Sequence, residues 1–167
     1  MKMITLIYAG LLAIALAQTI HYYPLMPEIM ASRYDFGGSP VQWSGKGLFF
    51  AIYLGIMILV SLSIILNAIM MGRCPERMMN IANKDFWLAP ERKDNTIKDM
   101  QNRVAQFGAA GLLFTVGIIQ CVILQNLDAV SQEQLNIILM TIIAAFVVYT
   151  VTWAVFLIAR YRKTKHL

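Results

Sequence analysis

Charge is scarce in this chain: 14 Lys and Arg and nine Asp and Glu make up 14% of its 167 residues, against roughly 25% in soluble domains. Hydrophobic residues reach 59% and the mean hydropathy is +0.62, more apolar surface than a soluble core of this size hides. Cysteine is sparse too. The two, Cys74 and Cys121, fall in different kinds of segment, which excludes a disulfide scaffold. H-E-x-x-H and G-x-S-x-G are missing, as is an acidic pair facing the bundle, so catalytic chemistry has no foothold and the chain reads as a non-enzyme without cofactor or metal. The net charge of +5 is not gathered on a soluble face, which argues against nucleic acid as a partner.

What is present is four uncharged runs, Met3 to Pro27, Gly47 to Gly72, Val104 to Leu127 and Leu135 to Ala159. Each is long enough to cross roughly 30 Å of hydrocarbon as a helix. The expected fold class is therefore all-α, an integral membrane four-helix bundle and a single transmembrane domain over 1–167. The spans are expected at about 3–20, 47–71, 104–127 and 135–159, with an outer loop 21–46 and an inner loop 72–103. Twelve Lys and Arg fall on one side of these spans and two on the other, and the positive-inside rule then makes both termini cytoplasmic. A rival reading takes Ala15-Leu16-Ala17 as a signal-peptidase site, leaving three helices. The length of the first run favours an uncleaved anchor. No Asp, Glu, Lys, Arg or His occupies the centre of a span, and a pump or coupled transporter needs such groups.

Local patterns add detail. Ala9, Ala13 and Ala17 form a small-residue face on the first helix, expected to pack within the bundle or, alternatively, against a partner. Ser61, Ser63 and Asn67 can hydrogen-bond between helices, and Ala105, Gly108, Ala109 and Gly111 offer close packing on the third. Ser131 and Gln134 match a capping box that opens the fourth helix. Pro90 suits a first helical position, and Ile97, Met100, Val104 and Phe107 recur at helical spacing after it, so one helix is expected to run from Pro90 into the third span. The stretch from Cys74 to Leu88 mixes apolar and charged residues, as at headgroup level, with Trp87 as its anchor.

Candidate ligands for metal or haem are few. His21 and His166 stand a bilayer apart, and His21 with Met26 is a conceivable mixed pair, though an interfacial histidine is the simpler reading. The 11 methionines, including Met26 and Met30, read as core filling rather than a copper set. Cys121 reads as a small hydrophobe. Cys74 reads as an unmodified thiol, with acylation the alternative. The outer loop carries Pro24, Pro27, Gly37, Gly38 and Pro40 with Tyr22, Tyr23, Tyr34, Phe36 and Trp43. It is either an aromatic belt folded on the bilayer or a binding loop.

Two stretches carry a resemblance. Tyr23-Pro24-Leu25-Met26-Pro27, Ser32-Arg33-Tyr34-Asp35, Gly38, Pro40, Trp43 and Ser44-Gly45-Lys46, followed by Asn83-Lys84-Asp85-Phe86-Trp87-Leu88-Ala89-Pro90-Glu91-Arg92, are similar to the two motif loops of bacterial membrane proteins of domain of unknown function 1648. The resemblance implies a multi-pass protein of the bacterial cytoplasmic (inner) membrane, related to the immunity proteins of the sporulation-delaying-toxin type, which protect a producer and take part in signalling. Arg33-Tyr34 stands where that family usually has His-Phe. A role for an imidazole is thereby lost, while a cation able to meet a phosphate or a carboxylate is retained. On this reading the two motif loops recognise a secreted peptide or a membrane protein partner, either a peptide outside or a protein at the cytoplasmic face, and the outer contact is made by Arg33, Asp35, Trp43 and Lys46, framed by Pro24, Pro27, Gly38 and Pro40. Trp87, Glu91 and Arg92, framed by Asn83 and Pro90, make the inner contact. The alternative is a structural accessory subunit of a larger membrane complex, using the small-residue faces. The sequence leaves oligomeric state and ligand open.

Overall fold

The computed structural model describes residues 2–35, 37–75, 78–79 and 81–162. Phe36, Arg77, Lys163, Lys165 and His166 lie outside the described residues. Five helices and one hairpin follow in order: α1 (Lys2–Tyr22), a 3-10 turn (Tyr23–Leu25), β1 (Ile29–Tyr34), β2 (Pro40–Gly45), α2 (Lys46–Met71), α3 (Lys84–Trp87), α4 (Lys93–Asn126) and α5 (Gln132–Arg162). Four of the helices are long and apolar enough to cross a membrane. The loop 21–46 is the departure from an all-α chain, because its Pro, Gly and β-branched residues close into a two-stranded antiparallel sheet.

α1, α2 and α4 form the core. Tyr8, Leu11 and Ala15 of α1 meet Phe49, Phe50, Tyr53 and Met57 of α2 and Ala105, Leu112 and Ile123 of α4, all buried, the α1 set at three- and four-residue spacing and the α4 set at multiples of the helical repeat. Met26 and Met30, from the segment after α1, fill the same core, as expected of flexible thioethers. Polar side chains also tie the three helices together. The Tyr8 hydroxyl donates to Ala105 O at 2.7 Å. Gln18 takes a bond from the Tyr53 hydroxyl at 2.7 Å and donates to Gln120 Oε1 at 2.8 Å, while Gln120 donates to the Tyr22 hydroxyl at 3.0 Å.

Several expectations change here. Ala9, Ala13 and Ala17 are exposed, because the inward face of α1 is the one whose Tyr8 finds an acceptor on α4. Ser61, Ser63 and Asn67 bond the carbonyls of their own helix, Met57, Val60 and Ser63, since those acceptors are one turn away. α4 starts at Lys93 rather than Pro90. Residues 89–92 instead make a turn in which Arg92 and Lys93 both donate to Ala89 O at 2.9 Å. The helix nonetheless precedes the 104–127 span by about three turns. The capping box is present: Gln134 N–H donates to Ser131 Oγ at 3.3 Å and Ser131 N–H to Gln134 Oε1 at 3.2 Å.

Gly108 sits where α4 touches both α1 and α2. A Cβ there would overlap Ile64 and the Tyr8 hydroxyl. Gly108→Leu is therefore expected to destabilise the bundle by about 1–3 kcal/mol, read as a lowered melting temperature in detergent, whereas exposed Ala13→Leu leaves melting unchanged. Equal melting of the two variants would contradict this packing.

Candidate functional site

The hairpin is built by its own turn chemistry. Asp35 Oδ1 accepts from Gly37 N–H at 2.9 Å and Ser39 N–H at 2.8 Å, and Asp35 N–H donates to Ser39 O at 2.9 Å. Gly38 adopts φ +81, a conformation that favours glycine. The strands pair Ile29 with Gly45, Met30 with Ser44, Ala31 with Trp43, Arg33 with Gln42 and Tyr34 with Pro40, with register shifts on either side of Arg33. Lys46 locks the open end. Its N–H donates to Glu28 O at 3.0 Å, and its ammonium reaches Met26 O at 3.3 Å and Glu28 Oε1 at 3.0 Å and lies 5.1 Å from the Tyr23 ring centroid.

Amides at the end of α4 then fix the hairpin over the helices. Asn126 accepts from Ala31 N–H and donates to Ala31 O, both at 2.8 Å, so one side chain satisfies a buried strand residue as a neighbouring strand would. Its second N–H goes to Val122 O at 2.9 Å. Gln125 donates to Gly38 O at 3.0 Å and to Gln132 Oε1 at 3.2 Å. Gly38 lies so close to Gln132 that any Cβ would overlap its amide. The turn between α4 and α5 places Asp128 at φ 49, a left-handed position that Asp tolerates.

Between hairpin and helices lies a cavity of about 870 Å³. Arg33, Tyr34, Asp35, Gly38, Val41 and Gln42 line it from the hairpin, Ile118, Cys121, Val122 and Gln125 from α4, and Gln132, Leu135, Asn136, Leu139, Met140 and Ile143 from α5. One wall is apolar and the other carries amides, a carboxylate and a guanidinium. Arg33 is exposed, and among the described residues its guanidinium has no hydrogen bond. Burial, with the Asp128 carboxylate adding to it, raises the Tyr34 hydroxyl above its ordinary pKa, so Tyr34 is a neutral donor at physiological pH.

Of the outer residues singled out in the sequence, Arg33, Asp35 and Gly38 come together at this cavity. Pro24 lies within the 3-10 turn and Pro27 follows it by two residues, Pro40 opens β2, and Trp43 is 58% exposed without lining the cavity. Lys46 faces inward, its side chain 14% exposed. Gln125, Asn126, Gln132 and Asn136 were missed. Their signal is the density of amides on both sides of one short turn between apolar runs.

The inner motif serves the end of α5. Asn83, left-handed at φ 54, donates to Arg162 O at 2.9 Å, and Trp87 Nε1 donates to Tyr161 O at 3.0 Å, which satisfies carbonyls that a helix end leaves without partners. Trp87 also meets the Tyr161 ring edge-on at 5.3 Å between centroids. Arg92 lies 4.2 Å from the Phe86 ring centroid. Pro90 and Glu91 are exposed in the turn before α4. Beside them, Asp99 accepts from Arg103 at 2.9 and 3.2 Å, from Arg160 at 2.7 Å and from the Tyr161 hydroxyl at 2.9 Å.

Among the described residues no three His, Cys, Asp or Glu side chains gather into a metal-binding group. His21 is exposed against Tyr22, whereas Met26 is buried in the core. Cys121 is buried in the cavity wall and Cys74 is half-buried. No family model matches the chain, and neither a curated protein nor a solved structure matches it.

Two variants test these clamps. Asn126→Ala leaves Ala31 N–H and C=O without partners, at a cost of about 1–3 kcal/mol, and hydrogen exchange across 29–45 should accelerate by about tenfold or more. Trp87→Phe keeps the ring but removes the N–H, and the last turn of α5 should exchange faster while the hairpin does not change. Unaltered exchange in either variant would show that the clamp does not hold that element.

Proposed function

We propose that this chain is a non-enzymatic multi-pass membrane protein of the bacterial inner membrane, with both termini cytoplasmic, that recognises a secreted amphiphilic peptide in the cavity beneath its hairpin. The observation that carries this reading is the fixed roof: a hairpin held by Asn126 and Gln125 over about 870 Å³. Apolar side chains of the peptide would meet Ile118, Leu139, Met140 and Ile143. Backbone groups would meet the rim amides, and a carboxylate would meet the Arg33 guanidinium. Pre-organisation keeps the entropic cost of such binding low. The resemblance to immunity proteins favours a peptide toxin as the ligand, with signalling through exposed Glu91 and Arg92 on the inner side.

The test is capture of peptides from culture supernatant by the protein in nanodiscs, with bound material identified by mass spectrometry. Arg33→Ala should weaken capture about tenfold, the worth of one charge-assisted bond, and Leu139→Trp, which fills the cavity, should abolish it. Trp43→Ala, outside the cavity, should leave it intact. Capture that survives Leu139→Trp would refute the cavity as the site.

A second reading, the accessory subunit, draws support from the exposed Ala9, Ala13 and Ala17 face and from α5, whose buried residues are Leu135 and Tyr161 alone among those described. A stoichiometric membrane partner that co-purifies in mild detergent and is lost on Ala13→Leu would favour it.

A further inference from the structure

At the end opposite the hairpin, Tyr161 walls two cavities, of about 320 and 140 Å³. Arg92 and Arg160 line the smaller, Arg103 and Arg162 the larger. Asp99 bonds Arg103 and Arg160 and lies in the smaller cavity. In the larger cavity, among the described residues, no acid lines the wall. Its charged groups are two guanidiniums, of which Arg103 is bonded to Asp99, as is the Tyr161 hydroxyl, while Arg162 faces the cavity from the end of α5. Arg162 is exposed and its guanidinium has no hydrogen bond among the described residues. Val104, Leu157 and Ile158 supply an apolar lower wall. The charged groups begin where the spans 104–127 and 135–159 stop, which on the membrane reading is headgroup depth.

We infer that the larger cavity holds the phosphate of an acidic phospholipid, with the lipid's acyl region against Val104, Leu157 and Ile158. The inference rests on the membrane reading above. Three guanidiniums, Arg103, Arg160 and Arg162, against the single Asp99 leave an excess of positive charge that suits a phosphodiester, and Asp99, taken up by Arg103, Arg160 and Tyr161, has no free oxygen to pair with the ammonium of a zwitterionic headgroup. The site is also pre-formed: Asp99 holds Arg103 and Tyr161 in place, and Asn83 and Trp87 hold the helix end that carries Arg162. Basic pockets between helices at the membrane surface bind acidic headgroups in this way.

The experiment reconstitutes the full chain into nanodiscs of equal parts phosphatidylglycerol and phosphatidylcholine, then counts retained lipid by native mass spectrometry. One phosphatidylglycerol per chain should remain. Arg162→Gln should reduce retention about fivefold, the worth of one basic contact, with unchanged melting. Arg73→Gln removes the same charge outside the cavity and should retain the lipid. Equal retention of both lipids, equal loss in Arg73→Gln, or displacement by millimolar inorganic phosphate would each overturn the inference, the last by making it a free-anion site. Failure of the chain to insert into nanodiscs would overturn the membrane reading and this site together, whereas insertion without selectivity overturns the site alone.

Discussion

The pairing of one amide with one residue governs the hairpin half of the molecule. Ala31 is buried, and its N–H and C=O both end on Asn126. A two-stranded hairpin is marginal in water by itself, and an edge residue buried against helices would lose its hydrogen bonds. Asn126 removes that penalty by presenting a donor and an acceptor at strand-like positions. Once β1 is seated, Met30 enters the core beneath it and Gly38 comes against Gln132. The cavity follows from this seating, because its roof and its α5 wall meet only there.

The same economy holds at the other end. α5 presents most of its apolar surface outward, and its described contacts with the rest of the chain are concentrated along α4 and at its two termini. Ser131 and Gln134 close its start, and Asn83, Trp87 and Asp99 close its end. In a low-dielectric setting helix association gains little from apolar contact, since lipid tails are as apolar as leucine. Polar closures at the helix ends therefore carry much of the positioning. The bonds among Gln18, Tyr53, Gln120 and Tyr22 do the same inside the bundle.

The four long helices were legible because crossing hydrocarbon demands about 20 apolar residues, and length survives any uncertainty about faces. The capping box at Ser131 was legible because its partner is three residues away. The inward face of α1 was not. Apolar residues cover all its sides, so periodicity carries no contrast between a neighbour helix and lipid, and Ala9, Ala13 and Ala17 looked as suited to packing as Ala15. The hairpin was half legible, since Asp35, Gly38 and Pro40 announce a turn but two short strands with register shifts do not alternate cleanly. Arg33 was singled out for its place in a motif stretch and for its charge, neither of which shows that it lines a cavity with α4 and α5. Asn126 was out of reach, because its role depends on a residue 95 positions earlier. Trp87 and Asn83, which a motif marks without explaining, turned out to serve the end of a helix more than 70 residues later.

The central claim is that the hairpin is a fixed part of the helix bundle rather than a loop lying on the surface. The most direct measurement is the exchange rate of the Ala31 amide by NMR on the protein in detergent micelles or nanodiscs. A docked hairpin predicts that Ala31 N–H exchanges as slowly as the amides of α4 on which it rests. Exchange at the rate of an unstructured loop, with α4 still protected, would contradict the account.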